Sequence, residues 1–373
     1  MMARPILVAN FSGQVGGAER SLLTLATTTM AEMEVACPPE GDLVHLVESI
    51  PRRVHRVQLV QFSLRRLPGY LKSSWHVFRL IRQVRPRLIH CNTYLAPQWF
   101  GLPALLLRVP LILHMRDMRM PGRFSRVLLG ILRHYGHAIC ISEAVRARMC
   151  ALGLIAPKRS SVVYNGVQLE KFERLPKPER ERLRREWGLG SCDLVIAMIG
   201  RVEHWKRPGD FLEVAKKLAS DRRFGWLMVG DSSAASDPTL ADRLRDRAQA
   251  EGIPVTFLPF QKDVERIFGG IDILVVPSEE EPFGRVAIEA MACEVPVIGT
   301  NQGGLPEIIT DGDAGYLVEV GDVMAIASCL TRLVNDAGLL TEMRDRARQT
   351  AVNRFSEAAY VKGVEAIYAS LAP

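Results

Sequence analysis

The chain contains no C-x-x-C pair: Cys37, Cys91, Cys140, Cys150, Cys192, Cys293 and Cys329 are scattered and odd in number. That argues against a disulfide framework or a zinc site and fits reduced thiols in the cytoplasm. Aromatic residues are scarce, at 7%. No basic run interleaved with stacking aromatics stands out, so a nucleic-acid partner is not expected despite a net charge of +7. Long apolar runs are also missing. The most apolar stretch, 102–113, is broken by Pro103, Arg108 and Pro110, far short of the roughly 20 residues that span a bilayer. The first residues lack a basic stretch leading into an apolar run, and 5–9 is too short for a secretory leader. A soluble or surface-bound protein is the expectation.

What is present is an ordinary globular balance, 48% hydrophobic and 24% charged over 373 residues, long enough for two cores. The charge is divided. Residues 1–180 hold 26 Lys+Arg against 11 Asp+Glu, and residues 181–373 hold 22 against 30. The asymmetry fits two domains with different partners, and by charge alone the basic half could face nucleic acid, an anionic membrane surface or a phosphorylated substrate.

Short β-branched runs alternate with longer amphipathic stretches, which predicts parallel α/β layers. Strands are expected over 5–9, 87–91, 111–114, 138–141 and 161–164, then over 194–199, 226–229, 255–258, 273–276, 295–299 and 315–318. Helices are expected over 18–26, 70–84, 142–151, 208–219, 240–250, 284–292 and 323–334. The domains so read are 1–170, 171–355 and a last helical segment, 356–373, packing back on the first domain.

Four places join this pattern to chemistry. Gly13-Gln14-Val15-Gly16-Gly17 lies between the first strand and a helix, a tight turn or a phosphate-binding loop. Gly200-Arg201 and Lys206 follow an apolar strand and put fixed positive charge where a diphosphate could bind, unless they are solvated surface cations. Glu279, Glu280 and Glu281 precede a helix whose positive end they could complement, but Glu289 lies within the otherwise apolar Val286-Ala287-Ile288-Glu289-Ala290-Met291-Ala292. A carboxylate there needs a partner or a ligand. At about two helical turns' spacing, Glu281 and Glu289 would face one cleft. His114, with Arg116 and Asp117, ends a strand and is either structural or near the reacting centre. Asp311-Gly312-Asp313 has the D-x-D spelling but reads as a loop, so no metal is expected.

Glu281-Pro282-Phe283-Gly284 with Glu289, followed by Gly303-Gly304-Leu305-Pro306-Glu307, resembles retaining glycosyltransferase family 4 (glycosyl transferases group 1). The resemblance extends to Gly16-Gly17-Ala18-Glu19, Tyr164-Asn165-Gly166-Val167, Gly200-Arg201 with Lys206, and Gly315-Tyr316-Leu317-Val318, in order along nearly the whole chain. It implies a GT-B fold, two Rossmann-like doubly wound domains facing across a cleft. It also implies a hexosyltransferase that needs no metal or other cofactor. A sugar would pass from a nucleotide-diphosphate sugar to a glycan, lipid-linked or small-molecule acceptor. By the same resemblance Arg201 and Lys206 would neutralise the diphosphate, and Glu289 would bind the ribose. Glu281 would hold the transferred sugar, with amides near Phe283, Gly284 and Arg285. Gly16 and Gly17 would approach the diphosphate, and His114 would contact the donor. The chain departs from the family at Gln168, where Asp is frequent, and at Arg207, where Gly is common. The alternative is a GT-B-like nucleotide-sugar-binding protein or an epimerase without glycosyl transfer.

One more segment bears on the acceptor. Leu71, Trp75, Phe78 and Ile81 recur at helical spacing among Lys72, Arg79 and Arg82, downstream of Arg65 and Arg66. They either pack on a sheet or present a face to an anionic membrane. The second reading would suit a cytoplasmic enzyme held at the inner face of the membrane for cell-surface polysaccharide synthesis.

Overall fold

A computed structural model describes residues 4–119, 121–232 and 236–372. The chain forms two compact units, Met1–Gly166 with Glu357–Pro373, and Val167–Ser356.

Unit 1 is built on strands β1 (Ile6–Ala9), β2 (Met33–Cys37), β3 (Arg53–Arg56), β4 (Leu88–Cys91), β5 (Leu111–Met115), β6 (His137–Cys140) and β7 (Ser160–Val162). They pair in the order β3-β2-β1-β4-β5-β6-β7, with every pairing parallel. Strands β1, β4 and β5 are buried throughout, as a parallel sheet covered on both faces requires. The covering helices are α1 (Gly17–Thr28), α2 (Asp42–Glu48), α3 (Leu67–Val84), α4 (Pro97–Leu106), α5 (Arg123–Leu132) and α6 (Glu143–Ala151).

Unit 2 repeats the plan with β8 (Leu194–Ile199), β9 (Phe224–Val229), β10 (Val255–Leu258), β11 (Ile273–Val276), β12 (Val297–Thr300) and β13 (Gly315–Val318). Its order is β10-β9-β8-β11-β12-β13, again parallel. Numbered from its own first strand this is 3-2-1-4-5-6, the Rossmann order. The direction of winding reverses between β8 and β11, where such sheets bind ligands beyond the strands' carboxyl ends. Its helices are α7 (Lys177–Glu186), α8 (Pro208–Lys217), α9 (Leu240–Ala250), α10 (Val264–Gly270), α11 (Arg285–Ala292), α12 (Val323–Asn335) and α13 (Ala337–Arg354).

The last helix, α14 (Glu357–Leu371), belongs to unit 1. Tyr360, Val361, Val364, Ile367 and Tyr368 join the core formed by Ile6, Val8, Leu88, Ile112 and Ile139. Thr24 and Thr29 donate hydrogen bonds to Glu357 and Glu365 of this helix, at 2.5 and 2.6 Å. Among the described residues no single helix is long and apolar enough to cross a membrane.

On α3 the apolar residues at helical spacing are divided between the interior and the surface. Tyr70, Ser73, Val77 and Ile81 form its buried stripe, while Leu71 and Trp75 are exposed and Phe78 is half-buried. Of Leu71, Trp75, Phe78 and Ile81, Ile81 alone is buried.

If α14 completes the unit 1 core, Ile367→Ala should lower the unfolding free energy of the full chain by about 2 kcal/mol. Urea denaturation measures this, and a loss below about 0.5 kcal/mol would detach that helix from the core.

Candidate active site

In unit 2 the chemistry collects where β8 and β11 end. The β8 end runs into Gly200 and Arg201, then a 3-10 turn, His204–Lys206. The β11 end runs into Pro277, Ser278 and the acidic loop, and the backbone N–H of Glu279 donates to the Trp205 carbonyl at 2.8 Å. This bond fastens the two loops to each other. Lys206 Nζ lies 3.3 Å from Glu281 Oε2, and both side chains are nearly buried. Ser278 Oγ donates to the same oxygen at 3.3 Å. Lys206 also rests on the Trp205 ring, 4.8 Å from its centroid.

Arg201 is different. Its side chain is 56% exposed, 3.6 Å from the buried Glu203, so it is anchored at one side and open at the other. Arg207 takes a left-handed φ of 52° at the start of α8, the conformation that makes glycine common at such a position. Its guanidinium is bound by Asp210 at 2.6 Å and Glu279 at 3.2 Å. The extra charge of this departure is therefore matched by two carboxylates.

The spacing argument for Glu281 and Glu289 needs correction. Helix α11 begins only at Arg285, after Gly284 at φ 103°, so Glu281 lies in the loop and only Glu289 is helical. Glu289 is buried, and Arg285 one turn before it pairs with it at 3.3 Å. That contact supplies the partner that a carboxylate in an apolar helix requires. Phe283 is fully packed, against Phe355 at 5.9 Å between ring centroids. The loop after β12 completes the edge: Gly304 N–H donates to the Glu281 carbonyl at 2.7 Å. Asp311 and Asp313, the D-x-D pair, are used locally. Asp311 accepts from the Leu317 N–H at 2.9 Å, and Asp313 pairs with Arg346 at 2.5 Å.

In unit 1 the β1 loop leads into Gly16 and Gly17 at the start of α1. Gly16 N–H donates to Glu19 Oε2 at 3.1 Å, while Asn10 Nδ2 donates to Glu19 Oε1 at 3.2 Å. Glu19 thus turns back over its own helix N-terminus and occupies one of the amides expected to face an anion.

His114, on β5, is fully buried inside a polar chain that sequence reasoning missed apart from Arg116. Tyr368 Oη lies 2.6 Å from His90 Nδ1, and His90 Nε2 lies 2.9 Å from His114 Nδ1. Arg116 Nη2 is 3.2 Å from the same Nδ1. Guanidinium can only donate, so His114 Nδ1 must accept and Nε2 must carry the proton. His90 then donates through Nε2 and accepts from Tyr368. Burial, with Arg116 nearby, pushes His90 down to about 3 and His114 well below its ordinary range. Both rings are neutral near pH 7. His114 Nε2 is buried with no hydrogen-bond partner among the described residues, so His114 offers a hydrogen-bond donor rather than a base. Arg116 further joins Asn92 Oδ1 and Asn165 Oδ1, each at 3.0 Å. The missed signal was alternation: His90, like His114, is a polar residue in an apolar strand.

A recess of unit 1, about 400 Å³, lies beyond the carboxyl ends of β3 and β4, lined by Phe62, Tyr94, Gln98 and Phe124. Phe62 and Phe124 stack with ring centroids 3.9 Å apart.

Two doubly wound parallel units of this kind are the architecture of the GT-B class. The sequence profile described as glycosyltransferase family 4 matches residues 15–171, and that of glycosyl transferases group 1 matches residues 179–352. The chain belongs to this family and is a glycosyltransferase. It is 29% identical to N-acetyl-alpha-D-glucosaminyl L-malate synthase of Bacillus anthracis, over 84% of this chain and 83% of that one. It is 27% identical to the capsular polysaccharide biosynthesis glycosyltransferase CapM of Staphylococcus aureus, over 80% of each. The fold matches that of Anabaena HepE, solved in complex with UDP and glucose, at a TM-score of 0.84 and 24% identity, covering 99% of this chain and 100% of that one.

The depressed histidines have a sign that can be tested. Unfolded, each takes up a proton near pH 6.5. Folded, His90 stays neutral down to about 3. Below pH 6.5 the unfolded state therefore binds more protons, so stability falls on acidification by about 1.4 kcal/mol per pH unit for each such histidine. His90→Gln should remove about one histidine's share of that slope between pH 6 and 4, read by urea unfolding across pH. An unchanged slope would mean that His90 titrates freely in the fold.

Proposed function

We propose that the chain is a retaining, metal-independent hexosyltransferase acting on a nucleotide-diphosphate sugar. Its acceptor is a glycan, a lipid-linked intermediate or a small molecule. The observation that carries this reading is the Lys206–Glu281 pair beside the half-open Arg201 at the β8–β11 switch point. A departing diphosphate needs fixed positive charge that is already oriented, and Lys206 and Arg201 supply it without a metal. In this reading Glu281 holds hydroxyls of the transferred sugar, and Glu289 holds the ribose. Amides near Phe283, Gly284 and Arg285 approach the sugar, and Gly17, with Gly16 beside it, approaches the diphosphate. His114 donates its Nε2–H to the donor sugar. The bond from the anomeric carbon to diphosphate oxygen breaks as the acceptor oxygen bonds to that carbon on the same face. The acceptor's proton leaves with the diphosphate.

HepE's complex with UDP and glucose makes UDP-sugars the first donors to try. CapM's role in capsular polysaccharide supports a cell-surface glycan as product. The aromatic recess of Phe62 and Phe124 suits an acceptor with a stacking sugar or apolar face. Leu64, Leu67, Leu71 and Trp75 are exposed beside Arg65, Arg66, Lys72, Arg79 and Arg82. That surface supports a peripheral place on the inner, anionic leaflet of the cytoplasmic membrane.

Once a donor is found by thermal stabilisation, NMR of the product should show the donor's anomeric configuration, with full activity in EDTA. Lys206→Ala should lower kcat by roughly 10²–10³-fold. An inverted product, activity restored only by Mn²⁺ or Mg²⁺, or unchanged kcat in Lys206→Ala would each sink the corresponding part of this mechanism.

The membrane face has its own test. The chain should sediment with anionic vesicles, less so as salt rises, each cation contributing about 1 kcal/mol. Replacing Arg65, Arg66 and Lys72 together by Ser should release it. Equal recovery in the supernatant with neutral and anionic vesicles at low salt would favour a soluble acceptor.

A further inference from the structure

The amino edge of the unit 2 sheet holds a different concentration of charge. Asp272, just before β11, is 2% exposed. Its Oδ1 accepts from Arg174 at 3.0 Å and Arg344 at 2.7 Å. Its Oδ2 accepts from Arg184 at 2.6 Å and from the Val195 N–H at 2.9 Å. A fourth guanidinium, Arg180, stands 3.9 Å away. A carboxylate has about four acceptor sites, and all four are taken.

The cations are not satisfied in turn. Arg174 Nη1, Arg180 Nε and Arg344 Nε are buried without a hydrogen-bond partner among the described residues. These residues line a recess of about 650 Å³ that adds Lys177 and Arg185, with Glu181 and Asp193 as the other acids. Six cationic side chains thus face three carboxylates. Burial and the neighbouring arginines hold Arg344 down to about 10. An ion-pair network serving the fold alone would balance its charges, because a buried donor left unmade costs free energy.

We propose that this recess binds a soluble, multiply charged phosphate compound, such as a polyphosphate or phosphomonoester. Guanidinium forks match phosphate oxygens in pairs, and the volume falls within the range of small-molecule sites. The site is separate from the one that takes the sugar donor: β8 runs from Leu194 beside the recess to Ile199 beside Arg201, a distance on the order of 20 Å.

Calorimetry and thermal shift on the full chain test this, with tripolyphosphate and orthophosphate as probes and citrate as a carboxylate control. Tripolyphosphate should bind more tightly than orthophosphate or citrate, and should bind wild type and Lys206→Ala alike. Arg180→Gln and Arg344→Gln should each weaken it by about tenfold or more, the equivalent of one charged hydrogen bond. Without ligand, Arg180→Gln should keep or raise Tm, since it thins a crowd of like charges. A purely structural role would lower it. Loss of binding in Lys206→Ala with retention in both arginine variants would assign the phosphate to the donor site and overturn the proposal. So would absence of binding at millimolar probe, or equal binding of citrate. Neither result depends on whether the chain turns over a UDP-sugar.

Discussion

Two backbones lie closer in unit 2 than side chains would permit, and the acidic loop takes its shape from that approach. A Cβ on Gly303 would sit 2.2 Å from the Glu281 carbonyl oxygen, and one on Gly304 2.7 Å from the Phe283 Cα. With hydrogens in place of both, the loop after β12 lies flat on residues 281–283. Gly304 then donates to the Glu281 carbonyl, and Thr300 Oγ1 donates to that of Ser278 at 2.6 Å. Gly284 follows at φ 103° and starts α11. A loop of three consecutive glutamates would otherwise be free to extend into water. Held this way, it turns Glu281 toward Lys206, while Glu279 meets Arg207.

Beyond the carboxyl ends of the strands, the charges in the two units are arranged differently. In unit 2 they come in matched pairs, Lys206 with Glu281, Arg285 with Glu289, Arg207 with Asp210 and Glu279. Each pair fixes a side chain and can be reshaped by a ligand that offers the same contacts. In unit 1, by contrast, a buried line of histidines is neutral and directional. Tyr368, His90 and His114 pass hydrogen bonds along one line, and Arg116 sets the direction by being unable to accept. Helix α14 supplies the tyrosine that begins the line. The helix therefore does more than cover apolar surface: its tyrosine hydroxyl satisfies His90 Nδ1, while Arg116 fixes the tautomer of His114 and so the hydrogen that it presents.

Sequence pattern was legible where periodicity was strong. The long apolar strands β8 and β11 and the helices α8, α9 and α12 lie close to their expected limits. Strand β2 escaped notice because Met33-Glu34-Val35-Ala36-Cys37 places a carboxylate in a short run; that carboxylate is matched by His55 at 2.6 Å on β3. Helix α4 escaped because it is apolar on all sides and contains Pro103, so it has no face to detect. Helix α13 buries Leu340, Met343, Ala347 and Ala351 at helical spacing, but two alanines among many charges carry little hydrophobic contrast. In the site, residue types and order were readable, whereas partners were not. Spacing measured Glu281 to Glu289 in helical turns although Glu281 precedes the helix, and it could not show that Glu19 would take the Gly16 amide.

A parallel sheet with helices on both faces has two chemically different edges. Helix N-termini gather at the carboxyl ends of the strands, where their unpaired N–H groups favour anions. Helix C-termini gather at the amino ends, where unpaired carbonyls favour arginine. Arg184 donates to the Gly270 carbonyl at the end of α10 at 2.9 Å, and Arg348 to the Ala292 carbonyl at the end of α11. Some arginine at this edge is therefore what the architecture itself requires. That requirement accounts for Arg348 and for half of Arg184, whose other nitrogen holds Asp272. It does not account for Arg180 or Arg344, neither of which is seen to donate to a helix-terminal carbonyl. Their charge exceeds what the fold's own termini use, and it is this excess, rather than the number of arginines, that separates a ligand-binding edge from a capped one.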